Sequence, residues 1–339
     1  MDEVITTAHG SGGRATGELI AAVFAKAFHD EMDDAAVLSV NGSEKIAMTT
    51  DSFVVTPRFY AGGDIGRLAI CGTVNDLLMR GAKPAYLTAG FILEEGTKVE
   101  ELSRAVTSMA ETAREAGVTV VAGDTKVVEG HGGSEPQFYI NTAGVGLMNG
   151  FGDAASVSAA GARPGDAILV SGTMGDHHAA ILGARLGLEG TIKSDNAPLV
   201  DMVKNLLQAG VRVHTMRDIT RGGLGTVLKE LATSSKQVFR IEEEKIPVSP
   251  AVKSFAGMLG LDPLYMGNEG KMALIVDEAD AELSLQILRA SKYGENAARI
   301  GKVEAPVADT PEGSVILTTA IGGLRSIDVL QDEGLPRIC

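Results

Sequence analysis

The stretch AYLTAGFILEEGTKVEELSRAVTSMAETAREAGVTVVAGDTK, residues 85–126, determines the fold class because it contains a strand, a helix and a second strand in succession. Residues 85–93 form an apolar run, which is typical of a buried strand. Residues 98–116 carry apolar side chains at helical spacing, so they predict an amphipathic helix. Residues 118–122 predict a second strand, which leads directly into a turn at Gly123-Asp124-Thr125-Lys126.

The alternation of helical and strand patterns continues on both sides of this unit. Two short strands flank a hairpin signal at Asn41-Gly42-Ser43, so part of the sheet is expected to be antiparallel. The predicted fold class is therefore mixed α+β rather than a purely parallel α/β sheet. The further predicted helices are 16–28, 66–80, 176–187, 196–209, 223–234 and 280–291, and the further predicted strands are 35–40, 45–50, 138–148, 166–171, 272–276 and 314–319.

The length of the chain, 339 residues, exceeds what one hydrophobic core usually serves, so two domains are expected. Residues 149–165 are rich in Gly, Ala and Ser and contain a proline, which favours a domain boundary there. We predict an N-terminal domain over residues 1–150 and a C-terminal α/β domain over residues 151–321. Residues 322–339 show no sustained periodicity and are predicted to form a flexible tail that ends at Cys339.

The charge balance disfavours several classes of partner. The chain has 30 Lys and Arg against 44 Asp and Glu, a net charge of −14, whereas nucleic acids and anionic membranes bind net basic surfaces. Trp is absent and only 5 Tyr and 9 Phe occur, which disfavours a base-stacking surface. No apolar run reaches the roughly 18 residues that span a bilayer, and the N-terminus lacks a signal-peptide pattern. With two cysteines only, the chain is expected in a reducing compartment, the cytoplasm.

Aspartates recur beside glycine or at the ends of predicted strands, where several could converge. In the predicted N-terminal domain these are Asp34, Asp51, Asp64, Asp76 and Asp124. One such aspartate usually only caps a turn, but five in one domain are harder to explain in that way. Because Mg²⁺ prefers carboxylate and phosphate oxygens, the set suggests Mg²⁺ bound to a polyphosphate.

Two segments of the predicted C-terminal domain carry further candidates. RDITRGG places Asp218 before a predicted helix, where it could bind a metal or only cap the helix. NEGK places Glu269 before an apolar strand, where it could be functional or lie in a surface turn. Spacing alone leaves both alternatives open. His177 and His178 are adjacent and their side chains diverge, so we predict no metal site there.

The glycine-rich segment HGSGGR, residues 9–14, immediately precedes a predicted helix. Gly10, Gly12 and Gly13 could bring backbone N–H groups to a phosphate at the start of this helix. The alternative is a disordered N-terminal stretch. Neither the G-x-x-x-x-G-K-[ST] motif nor a G-x-G-x-x-G motif between a strand and a helix occurs, so ATP would have to bind in another way.

Cys339 is the last residue of the sequence and follows the predicted tail. Fully extended, the tail from Gly322 could reach about 55–60 Å, so the thiol can enter a cleft in its own subunit or in a neighbour. A cysteine without function is the alternative. Because an exposed thiol is an oxidation liability, we predict instead that Cys339 carries a chemical group. Cys71 lies in an apolar helical run and is expected to pack in the core.

Taken together, these segments resemble the HypE family of hydrogenase maturation proteins, the carbamoyl dehydratases of the AIR-synthetase (PurM-like) superfamily. The resemblance runs over nearly the whole chain, and an Asp-rich domain combined with a terminal Pro-Arg-Ile-Cys is highly specific. The sequence departs from the family at Ile219, where proline is the commoner residue. The matching motifs are HGSGGR (9–14), DDAAVL (33–38), TTDSFVVTP (49–57), GGDIGRLAICGTVNDL (62–77), FILEEG (91–96), GDTKVV (123–128), GDHHAAIL (175–182), RDITRGGL (217–224), NEGK (268–271) and LPRIC (335–339).

The resemblance implies a two-domain PurM-like fold, in which N-terminal sheets pair in a homodimer and ATP binds between sheet and loops. It implies that a carbamoyltransferase partner, HypF, places a carbamoyl group on Cys339. ATP would then phosphorylate the carboxamide oxygen, and loss of phosphate would leave a thiocyanate. The cyanide would pass to iron on a HypC–HypD complex, as a ligand for NiFe-hydrogenase. ATP and Mg²⁺ are the implied cofactors.

The resemblance also implies roles for individual residues. Cys339 would carry the substrate, Glu269 would be the base that removes the amide proton, and Lys126 would neutralise charge on the transferred group. Which carboxylate is the base stays open, as does whether the tail serves its own cleft or its partner's. The Mg²⁺ set would be Asp34, Asp51, Asp76, Asp124 and Asp218. The ATP phosphates would be bound by Gly10, Gly12, Gly13, Asp51, Asp76, Asp124 and Lys126.

Two other functions remain as alternatives. An ATP enzyme similar to selenophosphate synthetase would carry Cys or selenocysteine in its N-terminal glycine-rich loop, whereas residues 9–14 contain neither. A non-enzymatic assembly scaffold would use the tail only to dock a partner. The scaffold predicts that ATP hydrolysis is irrelevant, whereas the enzyme predicts a product on Cys339.

Overall fold

The structure is a computed structural model that describes residues 4–28, 33–40, 42, 44–130, 132–133, 135–152, 157–188, 190–331 and 334–339. Asn41 and Ser43 of the predicted hairpin turn lie outside the described residues, and so do residues 153–156 of the predicted boundary. Within the described ranges, no helix combines the length and the apolar character needed to cross a membrane.

The first half of the chain folds around a five-stranded sheet with the order β1-β2-β7-β5-β6. Strands β5 and β6 are parallel, and the other neighbours in the sheet are antiparallel. The α-helices and strands, in chain order, are α1 (Arg14–Leu19), α2 (Ala25–Phe28), β1 (Ala36–Val40), β2 (Glu44–Phe53), β3 (Phe59–Tyr60), β4 (Gly63–Asp64), α3 (Ile65–Met79), β5 (Lys83–Glu94), α4 (Val99–Ala116), β6 (Thr119–Val128) and β7 (Phe138–Leu147).

Helix α3 is the central element of this half. Almost all its residues are buried, because it packs between the sheet and helix α4. Asp64 caps its first turn by accepting hydrogen bonds from the backbone N–H groups of Gly66 and Arg67. A side chain at Gly66 would collide with the Ala105 carbonyl, since a Cβ would lie 2.0 Å from that oxygen. The close contact of α3 with α4 therefore requires glycine and fixes the depth at which α3 carries Asp76.

Strand β6 differs from its prediction. It was expected to end at Ala122 before a turn, but it continues through Asp124 and Lys126 to Val128. The turn prediction was wrong because β6 pairs in parallel with β5, where Gly90 is opposite Asp124 and Ile92 is opposite Lys126. Every residue of β6 is exposed, and the strand forms one edge of the sheet.

The second half folds around a seven-stranded sheet with the order β14-β13-β10-β12-β8-β11-β9. Strands β8 and β11 at its centre are buried along their whole length. The α-helices and strands are β8 (Ala167–Val170), α5 (Asp176–Arg185), α6 (Val200–Gln208), β9 (Val213–Asp218), α7 (Gly223–Ser235), β10 (Val238–Glu242), α8 (Pro250–Leu259), β11 (Met272–Val276), α9 (Ala281–Ala290), β12 (Ala298–Glu304), β13 (Val315–Thr318) and β14 (Leu324–Ile327).

Most of the predicted helices and strands are confirmed, but β3, β4, β9, β10, β12, β14 and α8 were not predicted. The predicted tail also begins too early, because β14 pairs antiparallel with β13 inside the second sheet. The end of the chain is docked in the same molecule. The Val54 N–H donates to the Cys339 carbonyl (2.9 Å) and the Thr56 N–H donates to the Arg337 carbonyl (3.2 Å), which adds a short antiparallel segment next to the end of β2.

Candidate active site

A cavity of about 300 Å³ lies between the two halves of the chain. Its lining comes from both sheets, from helix α3, from the glycine-rich N-terminal segment and from the docked tail. The chemistry-bearing residues among those that line it are Gly12, Gly13, Asp51, Asp76, Glu269 and Cys339, together with Asp34 and Asp218. The structure therefore brings together, in one chain, most of the residues that the sequence singled out.

Three carboxylates in this cavity are spaced as metal ligands would be. One oxygen each from Asp34, Asp76 and Asp218 lies within 4.8 Å of the other two. Asp34 precedes β1, Asp76 lies on α3 and Asp218 ends β9, so three separate elements supply them. The Asp34 Oδ2 atom is buried without a hydrogen-bond partner, and an unpartnered buried carboxylate oxygen is costly. An oxygen-only set with an unsatisfied anionic atom fits a hard divalent cation such as Mg²⁺.

The pKa values of these carboxyls are raised, mainly because burial penalises the charged form. Burial raises the pKa of Asp34 to about 7, although Arg217 opposes the shift, and it raises the pKa of Asp218 to about 6. The pKa of Asp76 is raised well above its usual value by burial and by repulsion from its acidic neighbours. Burial also raises the pKa of Asp51, which lines the same cavity. The cluster is therefore short of positive charge as it stands.

Two arginines of the RDITRGG motif, which were not among the residues predicted from the sequence, line the cavity. The Arg217 Nε atom lies 2.8 Å from Asp34 Oδ1. Arg221 donates through its guanidinium to the Gly10 carbonyl, and the nearby Cys339 raises the Arg221 pKa most. The spacing of the motif was a usable signal, because the two arginines flank Asp218 on one segment.

The glycine-rich N-terminal segment closes one side of the cavity through Gly12 and Gly13, whereas Gly10 contacts Arg221 without lining it. Gly12 has a φ of +77°, and a Cβ there would lie 2.7 Å from the Arg221 Cβ. Only glycine fits this position, both in backbone conformation and in space. The segment is thus held against the RDITRGG motif.

Glu269 is 4% exposed and lies in the cavity beside the tail. Its backbone N–H donates to Asp195 Oδ1 (3.0 Å), which fixes the turn before β11. Burial first, and then repulsion from Asp218, Asp51 and Asp195, raises the pKa of Glu269 well above its usual value. A carboxyl tuned in this direction is more basic than an exposed glutamate, as a general base requires. The alternative of a surface turn residue is excluded by the burial.

The Cys339 side chain is buried at the same cavity, with the residue 8% exposed. Burial raises the pKa of its thiol, although Arg221 opposes this shift. The docked thiol is therefore protonated at neutral pH and shielded from solvent. Cys71, the other cysteine, is fully buried on α3, as expected for core packing.

Asp124 and Lys126 do not reach the cavity of their own chain. They lie on edge strand β6, where the two side chains form an ion pair with each other and stay about two thirds exposed. The Lys126 ammonium holds the pKa of Asp124 below its usual value. Within this chain, the structure thus separates these two residues from the other predicted site residues.

Ile219, where the sequence departs from the resemblance, is fully buried next to Asp218. Its backbone N–H donates to the Lys271 carbonyl (2.8 Å), a bond that proline could not form. The hydrogen bond joins the RDITRGG and NEGK motifs, which carry Asp218 and Glu269. The departure therefore adds a link between the two motifs and removes no charged group.

Comparisons with known proteins match the chain over nearly its full length. The family models of AIR synthase related proteins match residues 32–148 (N-terminal domain) and 163–311 (C-terminal domain). The carbamoyl dehydratase HypE of Cupriavidus necator is 46% identical over 99% of this chain and 95% of that protein. A crystal structure of hydrogenase maturation protein HypE in complex with ATP is 44% identical with a TM-score of 0.83, covering 99% of this chain and 100% of that chain. A chain in the crystal structure of a HypE–HypF complex is 45% identical with a TM-score of 0.83, and the match covers 92% of this chain and 99% of that chain.

Proposed function

Because the chain belongs to the HypE family of carbamoyl dehydratases, two-domain enzymes of hydrogenase maturation, we propose that it converts an S-carbamoyl group on Cys339 into a thiocyanate with ATP. This membership confirms the resemblance and the fold class read from the sequence. One observation carries the proposal: Cys339, Glu269 and the aspartate cluster line the same cavity. The thiocyanate would supply the cyanide ligand for hydrogenase iron.

The proposed reaction has two steps. In the first, the carbamoyl oxygen attacks the γ-phosphorus of ATP, ADP leaves, and the nitrogen releases one of its two protons to solvent, which gives an O-phosphorylated imidate. In the second, a base removes the remaining N–H proton, the C–O bond breaks and phosphate leaves as the C≡N bond forms. Phosphorylation is needed because hydroxide is a poor leaving group and phosphate is a good one. One ATP is consumed for each thiocyanate, and the carbamoyl oxygen leaves in the phosphate.

The chain's own residues have separable roles in this proposal. Asp34, Asp76 and Asp218 would hold Mg²⁺ with help from Asp51, and the ion would neutralise charge on the phosphates. Gly12 and Gly13 would approach those phosphates with backbone N–H groups, next to Gly10. Glu269 would take the amide proton, since it lines the cavity with Cys339 and raises the pKa of that thiol more than Asp51 or Asp218 does. Arg221 would balance negative charge near Cys339.

Partners follow from the relatives and the tail. A solved HypE–HypF complex supports HypF as a partner, and HypF would place the carbamoyl group. A HypC–HypD complex would accept the cyanide on iron. The chain's acidic balance gives no support for nucleic acid or an anionic membrane as partner. A reducing compartment, the cytoplasm, would keep the Cys339 thiol free for its task.

A homodimer would explain the position of Asp124 and Lys126. Strand β6 is an exposed edge, and it carries apolar side chains such as Val121 and Val127 that are more than half exposed. Such an edge favours pairing with another chain, here a second copy. Asp124 and Lys126 would then serve the phosphates in the partner's cavity, while each tail remains in its own.

Mixing two inactive variants tests this arrangement. Lys126→Ala and Cys339→Ala are each expected to abolish product, whereas mixed dimers should contain one complete site with Lys126 from one subunit and Cys339 from the other. We expect recovery of about a quarter of wild-type product after unfolding and refolding together. Mixtures that stay inactive, despite dimers detected by light scattering, would place Lys126 in the cavity of its own subunit, and product from Lys126→Ala alone would place it outside the reaction.

Stability should depend on Mg²⁺ and pH together. Carboxyls with raised pKa values keep protons in the folded chain that the unfolded chain has already released. Without a divalent cation, the free energy of unfolding should therefore fall as the pH rises from about 4 to about 7. Mg²⁺ at 100 times its Kd should add about 2.7 kcal/mol to the free energy of unfolding near pH 8. The gain should be smaller near pH 5, because the protonated carboxyls bind the ion less well. Calorimetric Tm values measure this. Asp76→Asn should remove most of the Mg²⁺ effect, whereas exposed Asp201→Asn should not; equal effects in both would contradict the site.

The reaction is tested by following its oxygen atom. A chain carrying a carbamoyl group labelled with a heavy oxygen isotope is given Mg²⁺ and ATP, and the released phosphate is analysed by mass spectrometry. We expect one labelled phosphate for each thiocyanate. Unlabelled phosphate, formed together with thiocyanate, would exclude phosphorylation of the carbamoyl oxygen. The scaffold alternative predicts that no labelled phosphate is released.

A further inference from the structure

The GDHHAAIL segment begins helix α5, and the proposed reaction does not use it. His177 on this helix is fully buried and lies between two oxygen atoms: its Nδ1 is 2.7 Å from Ser194 Oγ, and its Nε2 is 2.7 Å from the Ile338 carbonyl. A carbonyl can only accept, so Nε2 carries the proton and Nδ1 accepts from the Ser194 hydroxyl. The edge-on ring of Tyr60, 5.5 Å away, holds the imidazole in place. The ring is thus a fixed donor aimed at the tail.

Arg185 lies two turns further along α5 and contacts both sides of the tail's docking site. Its Nε donates to the Thr56 carbonyl (2.7 Å) and one terminal nitrogen donates to the Arg337 carbonyl (2.6 Å). The guanidinium therefore joins the tail to the segment with which it pairs. A bidentate contact of this kind suits the planar fork of arginine and not the single ammonium of lysine.

In the described part of the chain, each backbone carbonyl of the last three residues accepts at least one hydrogen bond. Arg185 and the Thr56 N–H hold the Arg337 carbonyl, His177 holds that of Ile338, and the Val54 N–H holds that of Cys339. These donors contact backbone and do not touch the sulfur. These hydrogen bonds therefore do not depend directly on a group bonded to the sulfur.

We propose that His177 and Arg185 are positioning residues that form a latch on the tail backbone and so set where the Cys339 sulfur lies in the cavity. The importance of this latch for catalysis rests on the proposed function, because a tail that receives its carbamoyl group elsewhere must then dock in a reproducible position to react. The latch itself is a property of the protein before any reaction. Its strength sets the fraction of molecules in which the thiol is buried.

The rate at which Cys339 reacts with N-ethylmaleimide measures this fraction, because the docked thiol is shielded. We expect His177→Ala and Arg185→Met each to accelerate labelling of Cys339 by about 5- to 30-fold, the loss of one or two hydrogen bonds from the docked state. Cys71 is the internal reference, since it is fully buried on helix α3 and does not line the cavity, and we expect it to react only on wider unfolding. His177→Gln, which keeps a donor, should restore much of the protection.

Matched controls separate the latch from general destabilisation. His178→Gln changes the neighbouring histidine, whose side chain makes no hydrogen bond to the described tail residues. Arg289→Met removes a similar arginine–carbonyl contact, from Arg289 on helix α9 to the Ala297 carbonyl just before β12. Neither should change Cys339 labelling. Unchanged labelling in the His177 and Arg185 variants, or parallel acceleration at Cys71, overturns the latch. Labelling needs neither ATP nor a carbamoyl group. The experiment therefore tests the latch even if the chain proves not to catalyse the dehydratase reaction.

Discussion

Replacing Cys339 by alanine is expected to eliminate thiocyanate formation while leaving ATP binding intact. The sulfur is the atom to which the substrate is bonded in the proposed reaction, so no other group can take its place. Gly12, Gly13 and the aspartate cluster do not depend on the sulfur, so the nucleotide site should persist. Product is measured by mass spectrometry of the C-terminal peptide, and ATP binding by calorimetry with Mg²⁺ present.

Cys71→Ala is the matched control for this variant. It removes the only other thiol, one that is buried on helix α3 and outside the residues lining the cavity. We expect it to retain product, with at most a modest loss of stability from the vacated volume. Normal product in Cys339→Ala, or loss of product in Cys71→Ala alone, contradicts the assignment of the carrier.

Glu269→Gln is expected to slow conversion of the carbamoylated chain by about 10²–10⁴-fold, the usual contribution of a general base. Glutamine has nearly the same shape but cannot accept the amide proton. The backbone hydrogen bond from residue 269 to Asp195 does not involve the side chain, so the turn should remain. A single-turnover assay that starts from the carbamoylated chain measures the step directly, because partner-dependent loading is bypassed.

Glu278→Gln provides the comparison for this second prediction. Glu278 is an exposed glutamate paired with Arg299 at the surface, and its replacement should leave the rate near normal. If Glu269→Gln turned over at a similar rate, the base would lie elsewhere, and Asp51 in the same cavity would be the next candidate. Slow conversion with normal ATP affinity supports a role in proton removal rather than in binding.

Much of the site follows from local sequence, because its residues sit at the ends of recognisable elements. Asp34 and Asp51 adjoin or end predicted strands, and Asp76 lies on a helix whose apolar run was plain. Their meeting with Asp218 was implied only by the family resemblance, because Asp218 ends β9, a strand that was not predicted from the sequence. The roles of these residues in binding Mg²⁺ and ATP stay predictions.

The failures have a physical cause in contacts between distant segments. Asp124 and Lys126 looked like a turn because glycine and aspartate favour turns, but pairing with β5 outweighs that local preference. The latch could not be predicted for a similar reason. His177 contacts a backbone carbonyl 161 residues away, and every residue has such a carbonyl, so the sequence does not indicate which one is contacted. A pattern of side chains predicts which surfaces are apolar, but not which backbone groups will need donors.

The mass of the tail before and after reaction tests directly whether the carbamoyl group on Cys339 is dehydrated. The chain is loaded with a carbamoyl group on Cys339, incubated with Mg²⁺ and ATP, and its C-terminal peptide is weighed. Dehydration on Cys339 predicts that the peptide loses the mass of one water molecule, that the loss needs ATP, and that Glu269→Gln delays it. A peptide that keeps its carbamoyl mass through complete consumption of ATP would contradict the central claim that this cavity dehydrates the group on Cys339.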